Sequence, residues 1–258
     1  LSLQSIEGLV IRTADWSESS RIATFFSRES GKLKGIAKGG KRIKSQFDNG
    51  LDLLTQCRLI FLRKSTGGLD LITEAQVINK FSGITKSIHA LHAAYHIAEL
   101  LDVWTEIDDP HPNLYDACIK TLETLGNLGK THQNQAIQIP LISSSLMSFE
   151  MATLEELGVK PELEFCAECK KQAGESIVFS PSGGGVKCRQ CALDDRSSFR
   201  TTIAIVQTLK KLYPAPSEGL CALELPMRKE LRKLLNRYVT FLLGKRLKVQ
   251  SYLESGGI

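Results

Sequence analysis

The sequence predicts a multi-domain α+β protein: a five-stranded barrel, then an α-helical domain into which a four-cysteine ribbon is inserted. Three observations carry this reading. Residues 1–80 contain short β-branched and apolar runs between turn residues, without helical period. From about Thr85 apolar residues recur at helical spacing instead. Between two helical stretches stands Cys166-x2-Cys169-x18-Cys188-x2-Cys191. The expected division is 1–80 for the barrel, 81–160 and 197–258 for the two parts of the helical domain, and 161–196 for the ribbon.

Strands are expected at Leu3–Thr13, Arg21–Arg28, Lys32–Lys38, Leu51–Lys64 and Leu69–Asn79. Asp15–Ser20, Gly31, Gly39-Gly40 and Gly67-Gly68 punctuate them, the last pair at a hairpin turn. A five-stranded barrel of this size fits an OB-fold. Ile88, Leu91, Tyr95, Ala98 and Leu101 then mark a helix that stops before Asp108-Asp109-Pro110-His111-Pro112. A second helix starts with Asn113 as its cap and runs to about Leu125, followed by a polar loop from Gly126 to Asn134. A third spans roughly Ile142–Leu157, closed by Gly158 and Pro161. Beyond the cysteines come a helix at Thr201–Leu212 and an amphipathic one from Pro226 to Gly244, with Leu231, Leu234, Leu235 and Tyr238 on its apolar face.

Two Cys-x2-Cys knuckles at this separation can close a tetrahedral thiolate cage around Zn²⁺. The Gly183-Gly184-Gly185 run is expected to supply the positive φ that the second knuckle needs. A disulfide pair and an iron–sulfur cluster are the alternatives. Four protein ligands leave no open position, which favours a closed structural site over catalysis. Around the quartet Lys170, Lys171, Lys187 and Arg189 are offset by Glu162, Glu164, Glu168, Asp194 and Asp195, so the ribbon has no clear attraction for phosphate. Cys57, Cys118 and Cys221 stand singly, as small buried hydrophobes do in a reducing compartment. The expected location is therefore cytoplasmic, without a membrane span or export leader.

Charge is unevenly placed. Residues 1–80 hold 13 Lys/Arg against 8 Asp/Glu, whereas the remainder holds 20 of each, so the first module carries the whole net charge of +5. Arg28, Lys32, Lys34, Lys38, Lys41, Arg42 and Lys44 meet only Glu29 as an opposing charge. Strand alternation puts Lys32, Lys34 and Lys38 on one face, and Trp16, Phe25, Phe26 and Phe47 are candidate stacking surfaces for bases. A second run, Arg228, Lys229, Arg232, Lys233, Arg237, Lys245, Arg246 and Lys248, reads as the solvated face of the last amphipathic helix. His92 and His96 have chelating spacing, but no Glu follows His92 to make His-Glu-x-x-His. A P-loop, a dinucleotide fingerprint and a Gly-x-Ser-x-Gly elbow are all missing, leaving the common routes to ATP, NAD and acyl-transfer chemistry unsupported.

Gly8-Leu9-Val10-Ile11-Arg12 and Glu18-Ser19-Ser20-Arg21-Ile22 open the chain, followed by Ser27 through Gly31-Lys32, Ala37-Lys38-Gly39 and Ser45. Gly68-Leu69, Thr73-Glu74-Ala75, Ala94-Tyr95, Ala98-Glu99-Leu100-Leu101, Asn113-Leu114-Tyr115 and Leu157-Gly158 with Pro161 continue the series into the cysteine quartet. In this order, over essentially the whole length, these segments resemble the bacterial recombination mediator and DNA repair family RecO. The resemblance implies an OB-fold, a helical domain, an inserted module holding structural Zn²⁺, and a function that cleaves no bond. It implies binding of single- and double-stranded DNA, annealing of complementary strands, and loading of the RecA recombinase with RecR onto DNA coated by single-stranded-DNA-binding protein, with RecF as a further partner. The implied place is the bacterial cytoplasm at the nucleoid. The expected DNA-binding residues are Arg12, Arg21, Lys32, Lys34, Lys38, Lys41, Arg42 and Lys44. Some members of the family lack the metal cysteines, so the zinc site is not its common functional centre. A rival expectation is a zinc-dependent adaptor that docks proteins and touches DNA weakly.

Overall fold

Alternation along Lys32-Leu33-Lys34 sets the plan of the first module, because Leu33 enters the core while its neighbours face outward. The structure of the protein, a computed structural model, describes residues 2–41, 47, 50–64, 68–131, 134–172, 174, 177–213 and 222–258. Strands β1 (Ser2–Asp15), β2 (Arg21–Ser27), β3 (Gly31–Ala37), β4 (Gln56–Arg63) and β5 (Asp70–Asn79) close a barrel in the order β1-β2-β3-β5-β4. All neighbours are antiparallel except β3 and β5, which run parallel where Gly35, Ile36 and Ala37 face Asp70, Leu71 and Ile72. This is the OB-type barrel expected. Its interior holds Val10, Phe25, Leu33, Leu59, Phe61 and Ile72, all essentially sealed. A register shift between Val10 and Arg12 lets Val10 face Phe25 inside and Arg12 face Thr24 outside.

β4 begins five residues later than the apolar run from Leu51 suggests. Residues 51–55 form turns instead, with Leu54 at φ 64°, and they dock on β1 through Leu54 N–H to Val10 O (2.9 Å) and Val10 N–H to Thr55 O (3.0 Å). Leu51 reaches the core from that turn, so its apolarity reports burial and not strand.

The chain divides into two compact units, residues 1–130 and 131–258, and the first two helices fall in the unit of the barrel. A 3₁₀ turn (Ile84–Lys86) leads into α1 (Ile88–Trp104), whose N-cap Ser87 accepts from the Ala90 N–H. Helix α2 (Pro112–Thr131) starts on proline, whose missing N–H costs nothing at that position. It runs past Leu125, through the stretch its glycines marked as a loop. Gly129 and Gly83 serve a close approach: a Cβ on Gly83 would lie 1.9 Å from Gly126 O, and one on Gly129 would lie 2.1 Å from Gly83 O.

In the second unit, α3 (Gln135–Glu156) is capped by Asn134 and begins seven residues before the expected Ile142, carrying Pro140 inside it at the loss of one ladder bond. The ribbon follows as β6 (Ile177–Ser180), β7 (Gly185–Cys188) and β8 (Phe199–Arg200), ordered β7-β6-β8. Helices α4 (Ile203–Leu212, capped by Thr202), α5 (Leu225–Leu243, ended by Gly244 at φ 66°) and α6 (Gln250–Gly256) complete the unit. The short α6 was not anticipated. Among the described residues, no helix is long and apolar enough to cross a membrane.

Candidate nucleic-acid surface and thiolate centre

The outward cations of the barrel divide into two groups. One group holds helices. Arg12 pairs with Asp102 of α1 at 3.2 Å, and the Lys32 ammonium, buried apart from 9%, donates to the Asp102 carbonyl at 2.8 Å. Arg28 forks onto Asp116 of α2, and Arg63 bonds Asp108 between the two helices. Phe26, outward on β2, is covered in turn by Tyr115 of α2, ring centroids 6.0 Å apart. Asp102, Asp108 and Asp116 are therefore ion-pair or hydrogen-bond partners of the basic module that spacing along the sequence does not reveal.

The other group remains open. Lys34 and Lys38 are exposed and pair with no acid among the described residues. Arg21 lies between Asp15 and Asp52 at 3.6 Å, and Lys41 bonds Asp15 at 2.9 Å, which holds the Asp15 carboxyl below its ordinary pKa. Such exposed pairs contribute little net stability, so a phosphate competes readily for these cations. Arg42 and Lys44 lie outside the described residues. The expected shared face of Lys32, Lys34 and Lys38 is thus divided: Lys32 docks α1, Lys34 is open on β3, and Lys38 follows the strand end. Of the four candidate aromatics, Phe25, Phe26 and Phe47 are buried and Trp16 is exposed.

A cleft of about 440 Å³ opens beside Lys34, lined also by Leu33, Arg63, Lys64, Asp70 and Asp108. Arg63 is held there by Asp70 and Asp108, which leaves the cleft nearly neutral and a poor phosphate pocket.

In the ribbon the four sulfurs of Cys166, Cys169, Cys188 and Cys191 all lie within 4.8 Å of one another. Four thiolates bound roughly 2.3 Å from a single ion stand about 3.8 Å apart, so the quartet fits one four-coordinate cation. Cys169 and Cys188, at 4.0 Å, are well beyond disulfide bonding distance. Burial opposes ionisation of Cys166, but backbone N–H groups of Cys169, Cys188 and Glu168 together outweigh it and bring its pKa to about 6. Cys191, hydrogen-bonded first to Cys188, is pushed up to about 12. The first knuckle turns through Lys170 at φ 58°, not through glycine. Gly184 at φ 71° makes the β6–β7 hairpin, and Gly185 allows the Glu162 backbone to approach where a Cβ would meet its carbonyl at 2.3 Å. This corrects the role expected of the glycine run.

Lys187 joins Glu168 of the first knuckle to Asp195 at 3.0 and 3.1 Å, and hydrogen bonds led by Ser180 hold the Asp195 carboxyl far below its ordinary range. Lys187, Glu168 and Asp195 therefore form a charge cluster internal to the ribbon, while Glu164 pairs with Lys210 of α4. Phe179 packs edge-on to Tyr238 of α5 at 5.3 Å, and the Tyr238 hydroxyl donates to Val159 O at 2.8 Å. The thiolate quartet's ribbon is thereby coupled to the helical core.

The C-terminal basic run is not uniformly solvated. Arg228 and Arg232 are buried, bonding carbonyls of Leu223, Gly257 and Ile258 and the Glu150 carboxylate. Lys233, Arg237 and Arg246 line a groove of about 670 Å³ with Arg196 and Phe241, where Arg237 lies over Phe199 at 4.7 Å and Arg246 pairs with Glu254. His96 is fully buried, and among the described residues the cysteine quartet alone gathers three or more ligand-type side chains. Cys57 and Cys118 are buried, as expected, with their thiol pKa values pushed up by burial; Cys221 lies outside the described residues.

A five-stranded OB-type barrel followed by helices and an inserted four-thiolate ribbon defines a multi-domain α+β class of protein. Two family models match the chain: "Recombination protein O N terminal" over residues 2–81 and "Recombination protein O C terminal" over 85–251. The chain is 30% identical to the DNA repair protein RecO of Rhodopirellula baltica, covering 95% of this chain and 97% of that one. It is 29% identical to the RecO of Listeria monocytogenes (98% and 94% covered) and 26% identical to that of Halalkalibacterium halodurans (96% and 93%). The chain belongs to the RecO family of DNA repair proteins.

Proposed function

We propose that the protein is a recombination mediator that binds single- and double-stranded DNA at the open end of its barrel and anneals complementary strands without cleaving any bond. With RecR it helps load RecA onto DNA coated by single-stranded-DNA-binding protein, with RecF as a further partner, in the bacterial cytoplasm at the nucleoid. The observation that carries this reading is the exposure of Lys34 and Lys38, without an acidic partner among the described residues, on an OB-type barrel beside weakly engaged Arg21 and Lys41. Arg42 and Lys44 extend the same run in sequence. Arg12 and Lys32 serve α1 instead. Neutralising phosphates on both strands lowers their mutual repulsion, and base pairing then supplies the specificity.

In the ribbon, Cys166, Cys169, Cys188 and Cys191 would hold Zn²⁺, which contributes folding energy there and leaves no coordination position for a substrate. The test is strand annealing, with fluorescence anisotropy on labelled single strands across a salt series, comparing the wild type with Lys38, Lys41, Arg42 and Lys44 all changed to Ala. Loss of annealing together with a flatter salt dependence supports the reading; unchanged annealing overturns the barrel site.

A second reading, an adaptor that docks an acidic protein segment, draws on the groove formed by Arg196, Lys233 and Arg237 beside the ribbon. Charge reversal at Lys233 and Arg237 that leaves DNA binding intact but abolishes pull-down of recombination partners would favour it.

A further inference from the structure

We infer that Trp16 is a base-stacking platform through which this end of the barrel prefers unpaired strands to duplex; the inference rests on the DNA-handling reading above. A single exposed apolar residue is ordinary on a protein surface, so its exposure of 65% alone decides nothing. Its setting does. Trp16 stands at the tip of the β1–β2 hairpin, where its N–H donates to Ser20 O at 3.0 Å, and Ser20 N–H donates to Ser17 Oγ at 3.1 Å. The tip is clamped to the segment after β3: Lys41 N–H donates to Ser19 O at 3.1 Å, and its ammonium reaches Ser17 O at 3.3 Å and Asp15 at 2.9 Å.

The indole is therefore carried on a turn already tied to one of the open cations. Arg21 faces Ala37 across β2 and β3, which places exposed Lys38 one residue beyond that pair. Among the described residues the indole makes no ring stacking or cation–π contact, so its face is available. An aromatic face beside a row of cations is the arrangement that tracks a single strand, phosphates on the cations and a base on the ring. A duplex keeps its base faces stacked inside, so along its length it offers Trp16 no face to stack on. The platform thus discriminates strandedness, whereas the lysines do not.

The chain has two tryptophans, so Trp104→Phe leaves Trp16 as the sole indole reporter. In that background an oligo(dT) and a duplex of equal length are titrated at fixed salt, following anisotropy and indole emission, and the anisotropy is repeated for Trp16→Ala and Trp16→Phe. Oligo(dT) should quench Trp16 and the duplex should not. Trp16→Ala should weaken oligo(dT) binding on the order of five- to hundredfold while leaving duplex affinity and the salt slope unchanged, and Trp16→Phe should retain most of it. Equal losses on both DNAs, or no quench and no loss on oligo(dT), overturn the platform. If the unsubstituted protein binds neither DNA, the DNA-handling reading fails with it; if it binds both with steep salt dependence and Trp16→Ala behaves the same, the platform alone fails.

Discussion

Arg232 Nη1 lies 2.7 and 2.8 Å from the two carboxylate oxygens of Glu150, and the side chains are 3% and 1% exposed. Removing one partner leaves the other charge buried without its ion pair. Arg232→Ala should therefore cost about 3–5 kcal/mol in urea unfolding, while Glu150→Leu combined with Arg232→Met should come much closer to the wild type. A single variant as mild as the double would mean that the pair is solvated.

Glycines in α2 separate two physical effects. In a helix interior, replacing Gly by Ala is worth roughly 0.5–1 kcal/mol of stability from the backbone alone. At Gly126 a Cβ would sit 3.6 Å from Phe81 O, an ordinary contact, so Gly126→Ala should stabilise by about that amount. At Gly129 the same methyl would lie 2.1 Å from Gly83 O, and overpacking of roughly 1–3 kcal/mol should win. Opposite signs in thermal unfolding are expected; equal signs would contradict the close approach.

Changing Lys34 and Lys38 to Ala should flatten the log–log salt dependence of single-strand binding by about 1.4, roughly 0.7 for each phosphate no longer neutralised. Arg28→Ala, whose guanidinium is engaged by Asp116, should leave that slope where it was. If Arg28 flattened the slope and the lysines did not, the DNA path would lie along α2.

Elemental analysis of protein purified without chelator should find one zinc per chain, and Cys166→Ser with Cys169→Ser should abolish it. The variant should melt earlier and lose protection around Phe179 and Tyr238 first, because the ribbon rests on α5 through that pair. Single-strand affinity should survive. Loss of DNA binding with an unchanged melting curve would make the thiolate centre part of the DNA surface.

The strands and the quartet were legible because both are local statements: alternation at Lys32-Leu33-Lys34 and two Cys-x2-Cys pairs are visible within a few residues. What escaped was set by contacts distant in the chain. Gly129 looked like loop because its use, the approach to Gly83, lies more than forty residues away. Arg232 looked like surface because Glu150, 82 residues earlier, is what permits its burial. Lys32 looked like part of a DNA face because Asp102, 70 residues later, takes up its ammonium. Trp16 was one of four equal aromatic candidates until burial removed the other three.

The parallel seam between β3 and β5 joins only three residue pairs, against eight between β1 and β4. In kinetic terms, the hairpins β1-β2-β3 and β4-β5 are short-loop units, whereas the seam must wait for a long connection to close. We expect it to form after the rate-limiting step. Gly35→Ala, whose methyl would press within 2.7 Å of Ile72 Cγ1, should then accelerate unfolding while leaving the refolding rate nearly unchanged in a chevron analysis. A slowed refolding arm would instead put the seam in the nucleus.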